Sequence, residues 1–542
     1  MRFDERLKSV SHRQLWQEYC GFLDMSLEDY MYVQQRLMAE QMHYWCESPL
    51  GQKLLAGKKP DTIDELRDML PLTSYEDYAD TLLARRSDML PCGEPAIWIQ
   101  TTWEGGLRPI KLAPYTREML DCYRKNLIAT VMMATARQKG DFDIKRGYRV
   151  LYGGAPLPYA TGLQPSLFEE DLHLTWLPDA NSSEGSFSQR IKQGFKMALS
   201  GGVDYFFSIG SVANYITQSF GQMTGGHSSR PGKHTRLRIS PVTAGRYVAA
   251  KYYCKRDERP MLPKDLFHLK AFFYGGTDAH HYKERLTKAW GIVPTEAILG
   301  TESACLGAEN WEHNGMFLFP DSCFYEFIPE AEMYASLDDP AYQPQTCLMD
   351  SVAAGQNYEL VISVLHGGAF MRYRIGDVFR CVSAAPGELP RFSYVDRVPD
   401  VIDIAGFTRI TAASMQEVIR LSRLELGDWI LKKEFDEKDD PFLHMYVEVP
   451  PDTQLSEVVV QQVLQEHLAV YFKYFDSDYS DLKKLLNMEP LQITILKYGS
   501  IAGYERQTGR RIRRVNPIPL DIAGLLRFEA KPTVERQVNR RC

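Results

Sequence analysis

Between residues 13 and 46 the apolar positions recur at helical spacing. Leu23, Leu27, Tyr30, Met31, Leu37, Met38 and Met42 predict helix with one face turned to a core. Thr62-x-x-Glu65 and Thr73-x-x-Glu76 have the spacing of capping boxes and predict two short helices. The pattern then changes. Short apolar runs at 96–101, 148–152, 205–209, 269–274 and 295–299 alternate with helical stretches at 116–137, 187–199 and 281–290. This alternation predicts an α/β fold with a mostly parallel sheet flanked by helices. Ligands in such sheets bind at the carboxyl ends of strands. Gly105-Gly106, Gly275-Gly276 and Gly300-Thr301 all fall at predicted strand ends.

Around 391–399 charge and a proline interrupt the alternation, and we place a domain boundary there. Residues 1–396 form the large domain. Residues 397–542 form a smaller α+β domain, with strands at 401–404, 443–449 and 491–495 and helices at 413–424 and 455–470. Its tail carries Arg506, Arg510, Arg511, Arg513 and Arg514. Such a run reads either as a solvated face or as a cationic loop that reaches a phosphate.

Composition narrows the function classes. In 542 residues, 44% are hydrophobic and 25% charged, an ordinary globular balance. A formal net charge of -7 argues against nucleic-acid binding through bulk electrostatics. No run of about 18 apolar residues predicts a membrane span. The charged start, Met1 to Arg6, has no apolar segment behind it and does not read as a secretory signal. The ten cysteines are scattered without a C-x-x-C pair, which fits reduced thiols in the cytoplasm rather than a disulfide framework or zinc site. Cys305 has no evident histidine partner and reads as a buried thiol.

The residues with the clearest chemical content lie in two blocks. Gly300-Thr301-Glu302-Ser303 presents a hydroxyl and a carboxylate at a turn, and an aromatic strand, Phe324-Tyr325-Glu326-Phe327-Ile328-Pro329, follows it. Arg372-Tyr373-Arg374-Ile375-Gly376-Asp377 lies downstream. Activating a carboxylate with ATP requires donors and a cation for the triphosphate, a hard oxygen ligand for Mg²⁺, and a carboxylate for the ribose. Lys111 with the Gly105-Gly106 turn, Thr301 with Glu302, and Asp377 are candidates for those three needs, in that order.

With these blocks in hand, the chain resembles the auxin-responsive Gretchen Hagen family of acyl-acid amido synthetases, within the adenylate-forming superfamily. The Phe-Tyr-Glu-Phe-Ile-Pro and Arg-Tyr-Arg-x-Gly-Asp blocks are the specific parts. Lys111-x-x-Pro114-x-Thr116 is similar to the end of the family's phosphate loop, and Arg397-x-x-Asp400 to its hinge. The resemblance implies a large domain and a smaller, mobile C-terminal one. It implies an ATP- and Mg²⁺-dependent ligase that forms an acyl-adenylate and passes the acyl group to an amine or amino acid. Carried over by position, Thr301 would contact the α-phosphate and Glu302 would hold Mg²⁺. Asp377 would bind the ribose, with Tyr373 and Arg374 shaping that pocket. Glu326 would line the adenylate or acyl site, and Arg397 would lie at the hinge. Lys497 and Arg510–Arg514 are both candidates for the C-terminal catalytic cation. The segment 155–159 reads as a rigid connection or as acyl-pocket lining. One departure stands out. The loop before Lys111, Trp103 to Ile110, lacks the family's hydroxyls and carries Glu104, which Arg108 partly offsets. That loop motivates an alternative, a catalytically altered relative that binds a nucleotide or acyl ligand or serves as a partner subunit.

Overall fold

The computed structural model of the chain describes all residues except Met1, 102–109, 180–186, 225–240, Ala405, Phe407, 452–455, 476–490 and 531–542. Two compact units part between Val398 and Pro399.

In the larger unit, β1 (Ile97–Gln100) and β2 (Leu112–Tyr115) form an antiparallel pair. The main sheet is built from β3 (Arg149–Gly153), β4 (Thr175–Leu177), β5 (Tyr205–Ile209), β6 (Ala271–Gly275), β7 (Thr295–Gly300), β8 (Ala304–Glu309), β9 (Met316–Leu318), β10 (Cys323–Pro329), β11 (Asn357–Val364), β12 (Tyr373–Ser383) and β13 (Arg391–Arg397). Its 11 strands run β10-β11-β12-β13-β9-β8-β7-β6-β5-β3-β4. The α/β class expected from the alternation is present. From β4 to β7 every pair is parallel, each joined by a helical crossover. From β7 to β10 every pair is antiparallel. β7 is the seam between the two halves. The parallel strands are apolar on both faces because helices cover both. Phe206 stacks on Phe272 at 4.7 Å and Phe207 on Phe273 at 3.6 Å across β5 and β6. Helix Arg117–Thr135 packs here, capped by Thr116, whose Oγ1 accepts from Met119 N at 2.9 Å.

The predicted first helix is two helices, His12–Cys20 and Leu27–Glu47, with a turn between them. Thr62 caps its helix by accepting from Glu65 N, but the Glu65 carboxylate takes the N–H of Asp61 instead of closing a box. The second box is one residue later than expected: Ser74 caps and Asp77 closes it. Thr73 is withdrawn from capping because its hydroxyl donates to Met371 O.

In the smaller unit, β14 (Val401–Ile404) pairs with β15 (Thr408–Thr411). A separate sheet has the order β16 (Trp429–Phe435), β17 (Pro441–Glu448), β18 (Leu491–Leu496). Ile430, Tyr446 and Leu496 on one face meet Ile501, Ile522 and Leu525 from helices Ser500–Thr508 and Pro519–Glu529. The Glu448 carboxylate accepts from Gly499 N and Ile501 N, which anchors a helix start with negative charge. Among the described residues no helix is long and apolar enough to cross a membrane.

Candidate active site

The turn Thr301–Ser303 is the tip of the β7–β8 hairpin. Gly300 opens it, and a Cβ there would stand 2.5 Å from Ser303 Oγ, so a larger residue would turn the Ser303 hydroxyl aside. Ala304 closes it with φ 63°, the left-handed residue that ends a three-residue hairpin loop. Tyr115 at the end of β2 ties the tip down. Its hydroxyl donates to Thr301 O at 2.7 Å and accepts from Ala304 N at 3.0 Å. Burial pushes the Tyr115 hydroxyl well above its ordinary value, so it stays protonated. The backbone at Thr301 is thereby fixed.

Lys111 enters the same space from the start of β2. Thr101 N donates to Lys111 O at 3.0 Å, and Lys111 N donates to Thr101 Oγ1 at 3.0 Å. Lys111 Nζ lies 5.6 Å from the ring centroid of Tyr75, whose hydroxyl meets Leu112 N at 2.6 Å. Tyr373, the first residue of β12, is fully buried against Phe370 and Tyr78. Its hydroxyl donates to Glu302 Oε1 at 3.0 Å and lies 3.4 Å from Lys111 Nζ. Lys111 Nζ is 3.8 Å from Glu302 Oε1. Three residues predicted from far-apart blocks, Lys111, Glu302 and Tyr373, therefore meet around one carboxylate oxygen.

Four residues further along β12, Asp377 sits opposite Arg397 of β13. Arg397 Nε is 3.1 Å from Asp377 Oδ1, and Arg397 Nη1 donates to Ile375 O. Tyr394 adds a hydroxyl at 3.3 Å from the same Oδ1. Gly376, at φ 75°, and a register shift between Glu359 and Val361 reshape the strand just before Asp377. Asp377 and Arg397 thus form a cross-strand ion pair.

Two expected site residues are committed to other partners among the described residues. Glu326 is enclosed in the sheet. It is 1% exposed, and its carboxylate accepts from Arg372 Nε at 3.0 Å and Nη2 at 2.9 Å, Arg67 Nε at 3.1 Å and Thr346 Oγ1 at 2.6 Å. Burial alone would raise its pKa, but Arg372, Thr346 and Arg67 outweigh that and hold it below the ordinary carboxylate value. Arg374 points away from Tyr373. Successive strand residues face opposite ways, and Arg374 is bound to buried Glu359 at 2.7 and 2.6 Å and to Ser336. Gly105 and Gly106, with Glu104 and Arg108, lie outside the described residues. In the smaller unit, Arg514 is tied to Asp428 and Glu505, Arg510 to Asp521, and Lys497 to Glu529 O. Cys305 is buried beside Thr130, and burial pushes its thiol up to about 12.

Sequence reasoning missed Tyr115 and Tyr75; their only signal is a tyrosine near a capped segment. It also missed the opposite end of β7. There Glu296, 7% exposed, lies beside Glu309, whose carboxylate holds Lys283 Nζ at 2.7 and 2.8 Å and accepts from Glu296 N at 3.0 Å. Burial, then the Glu309 charge, pushes Glu296 up to about 7, against the pull of Lys283.

Glu302 offers a hard carboxylate oxygen of the kind Mg²⁺ takes, and the Lys111 ammonium beside it suits a phosphate. Residues 316–397, which include Glu326, Tyr373, Asp377 and Arg397, match the GH3 family central domain. The chain is 36% identical over 80 residues to a probable indole-3-acetic acid-amido synthetase GH3.1 of Oryza sativa subsp. japonica. That stretch is 15% of this chain and 12% of the relative. The whole fold is similar to a solved AtGH3.15 acyl acid amido synthetase in complex with 2,4-DB, at TM-score 0.51 and 15% identity, over 95% of this chain and 96% of that one. A 2-hydroxyisobutyryl-CoA ligase in the postadenylation state aligns at TM-score 0.48 and 14% identity, over 94% of each chain.

Proposed function

We propose that the protein is an ATP-dependent ligase that activates a carboxylic acid as its acyl-adenylate and transfers the acyl group to an amine, an amino acid in the plainest case. The observation that carries this reading is the meeting of Lys111, Glu302 and Tyr373 at the β7–β8 tip. The match of residues 316–397 to the GH3 family central domain supports it.

In this reading a carboxylate oxygen of the acid bonds to the α-phosphorus of ATP, and the bond to pyrophosphate breaks. The amine nitrogen then bonds to the acyl carbon, the bond to AMP breaks, and the amine loses a proton. Lys111 places positive charge beside the phosphates, and Thr301 offers its hydroxyl from a fixed backbone. Asp377, steadied by Arg397, offers acceptor oxygens to the ribose hydroxyls. Glu302 would hold Mg²⁺, which when bound neutralises charge on the triphosphate. Tyr373 orients Glu302 by donating to Oε1. The contribution of the protein is position and charge complementarity.

ATP–pyrophosphate exchange over a panel of aromatic, fatty and hydroxy acids tests the reading. Exchange with at least one acid is expected. Folded protein that exchanges with none while Mg·ATP still raises its melting midpoint would instead support the ligand-binding alternative, which the altered residues 103–110 favour.

A further inference from the structure

Helix Pro241–Arg256 sits on the larger unit through a narrow stripe. Thr243, Ala250 and Cys254 are its buried residues, and Arg246 Nη1 donates to Leu266 O at 3.4 Å. The rest of its surface is not polar, as a solvated face would be. Val242, Val248, Tyr252 and Tyr253 are between 49% and 68% exposed, and Ala249 is exposed among them. At about 3.6 residues per turn, Val248, Ala249 and Tyr252 fall opposite the buried stripe, with Val242 and Tyr253 on one flank. Single apolar residues on a surface are ordinary, but a contiguous apolar face marks an interaction site.

The charge on this helix selects the partner. It carries Arg246, Lys251, Lys255 and Arg256 and no carboxylate, in a chain of net charge -7. The sequence has no Asp or Glu from Tyr205 to Arg256. Arg256 pairs at 2.7 Å with Asp257, just past the helix end. Lys251 and Lys255, one turn apart on the other flank, are exposed and make no ion pair among the described residues. Helix Phe187–Gly201 packs against this one and adds exposed Lys192 and Lys196, again with no carboxylate. Asp265 of the neighbouring helix Pro263–Leu266 is taken up by Arg259. Cations beside an apolar face suit an anionic surface with an apolar interior. Nucleic acid offers the charge but nothing for two valines. An anionic bilayer offers both: headgroup charge for the lysines, and the headgroup–acyl boundary for Val248 and the amphipathic tyrosine rings.

We propose that helix Pro241–Arg256 docks the protein peripherally on an anionic lipid surface. Val248 and Tyr252 make the contact, and Lys251 and Lys255 lie beside the headgroups. The proposal is independent of the ligase reading.

Co-sedimentation of the full chain with extruded vesicles, without nucleotide, tests it. Binding is expected to phosphatidylcholine vesicles that contain about 30% phosphatidylserine, weakened about tenfold or more between about 50 and about 300 mM salt, with little binding to phosphatidylcholine alone. Lys251→Glu/Lys255→Glu and Val248→Asp/Tyr252→Asp should each weaken it about tenfold or more at an unchanged melting midpoint. No binding to either vesicle overturns the proposal, and an acidic protein becomes the partner to seek. Equal binding to both vesicles, or binding that survives either pair of substitutions, overturns it as well. Duplex DNA that binds as tightly, and still binds Val248→Asp/Tyr252→Asp, would make this a polyanion face, with the same consequence. A lowered midpoint in Val248→Asp/Tyr252→Asp would show that the chain itself covers the face, and that too is fatal. ATP–pyrophosphate exchange should be the same in both double variants as in wild type, so loss of vesicle binding and loss of exchange are read separately.

Discussion

Glu302 and Glu326 lie 24 positions apart, and both belong to segments that point to the same chemistry. Their surroundings are opposite. Glu302 stands at a hairpin tip with its side chain 11% exposed, held on one oxygen by Tyr373 and beside Lys111. Glu326 lies inside the sheet and accepts four hydrogen bonds from two arginines and a threonine. The first has capacity left for a ligand and the second has none. A carboxylate in a motif is available for chemistry only if its neighbours leave it so.

Four substitutions probe that contrast. Glu326→Ala leaves Arg372 buried without its partner, and we expect a loss of about 3–5 kcal/mol of stability in urea melts. A loss under about 1 kcal/mol would show that Glu326 is not the keystone described. Glu302→Ala should do the reverse. Exchange should fall by about 100- to 1,000-fold, as when a preorganised charge is removed, with stability within about 1 kcal/mol of the wild type. An unchanged exchange rate would remove Glu302 from the mechanism.

Third, Glu296 extends the comparison to the other end of β7. Its folded pKa of about 7 exceeds the ordinary 4.5 of the free side chain. The fold therefore binds the extra proton, and its contribution is complete below pH 4.5 and fades as pH rises to about 7. Glu326, with a depressed pKa, has the opposite sign: its contribution is present above the unfolded value and is lost as pH falls. At pH 8 Glu296→Gln should be more stable than wild type by about 3 kcal/mol, and at pH 4 about equal to it. Equal pH slopes for the two proteins would contradict this. The smallest effect is expected for Tyr373→Phe, which removes one donor from Glu302. About 1 kcal/mol, or a roughly fivefold fall in exchange kcat/KM, is the expected size.

In the parallel half β3, β5, β6 and β7 were legible because they carry continuous apolar runs, 205–209 with its observed bounds, whereas the three-residue β4 is too short to show such a run. The β16 strand was not, because Lys432, Lys433 and Glu434 break the apolar pattern although Lys433 is buried. Lys111 and Glu302 were candidates from the chemistry their residue types offer, and Tyr373 was found through motif resemblance. Their meeting depends on Tyr115 fixing the tip, which no local pattern reveals. The burial of Glu326 was not legible because it is set by Arg372, two strands away across β11, and by Arg67 from helix Ile63–Met69.

The seam strand has an engineering consequence. β7 is bonded to a parallel neighbour on one edge and an antiparallel one on the other, and its end bears Glu302. A post braced on both edges stays put when its surroundings are altered. A library of variants would leave β7 and β8 intact, so that Glu302 keeps its setting beside Lys111 and Tyr373.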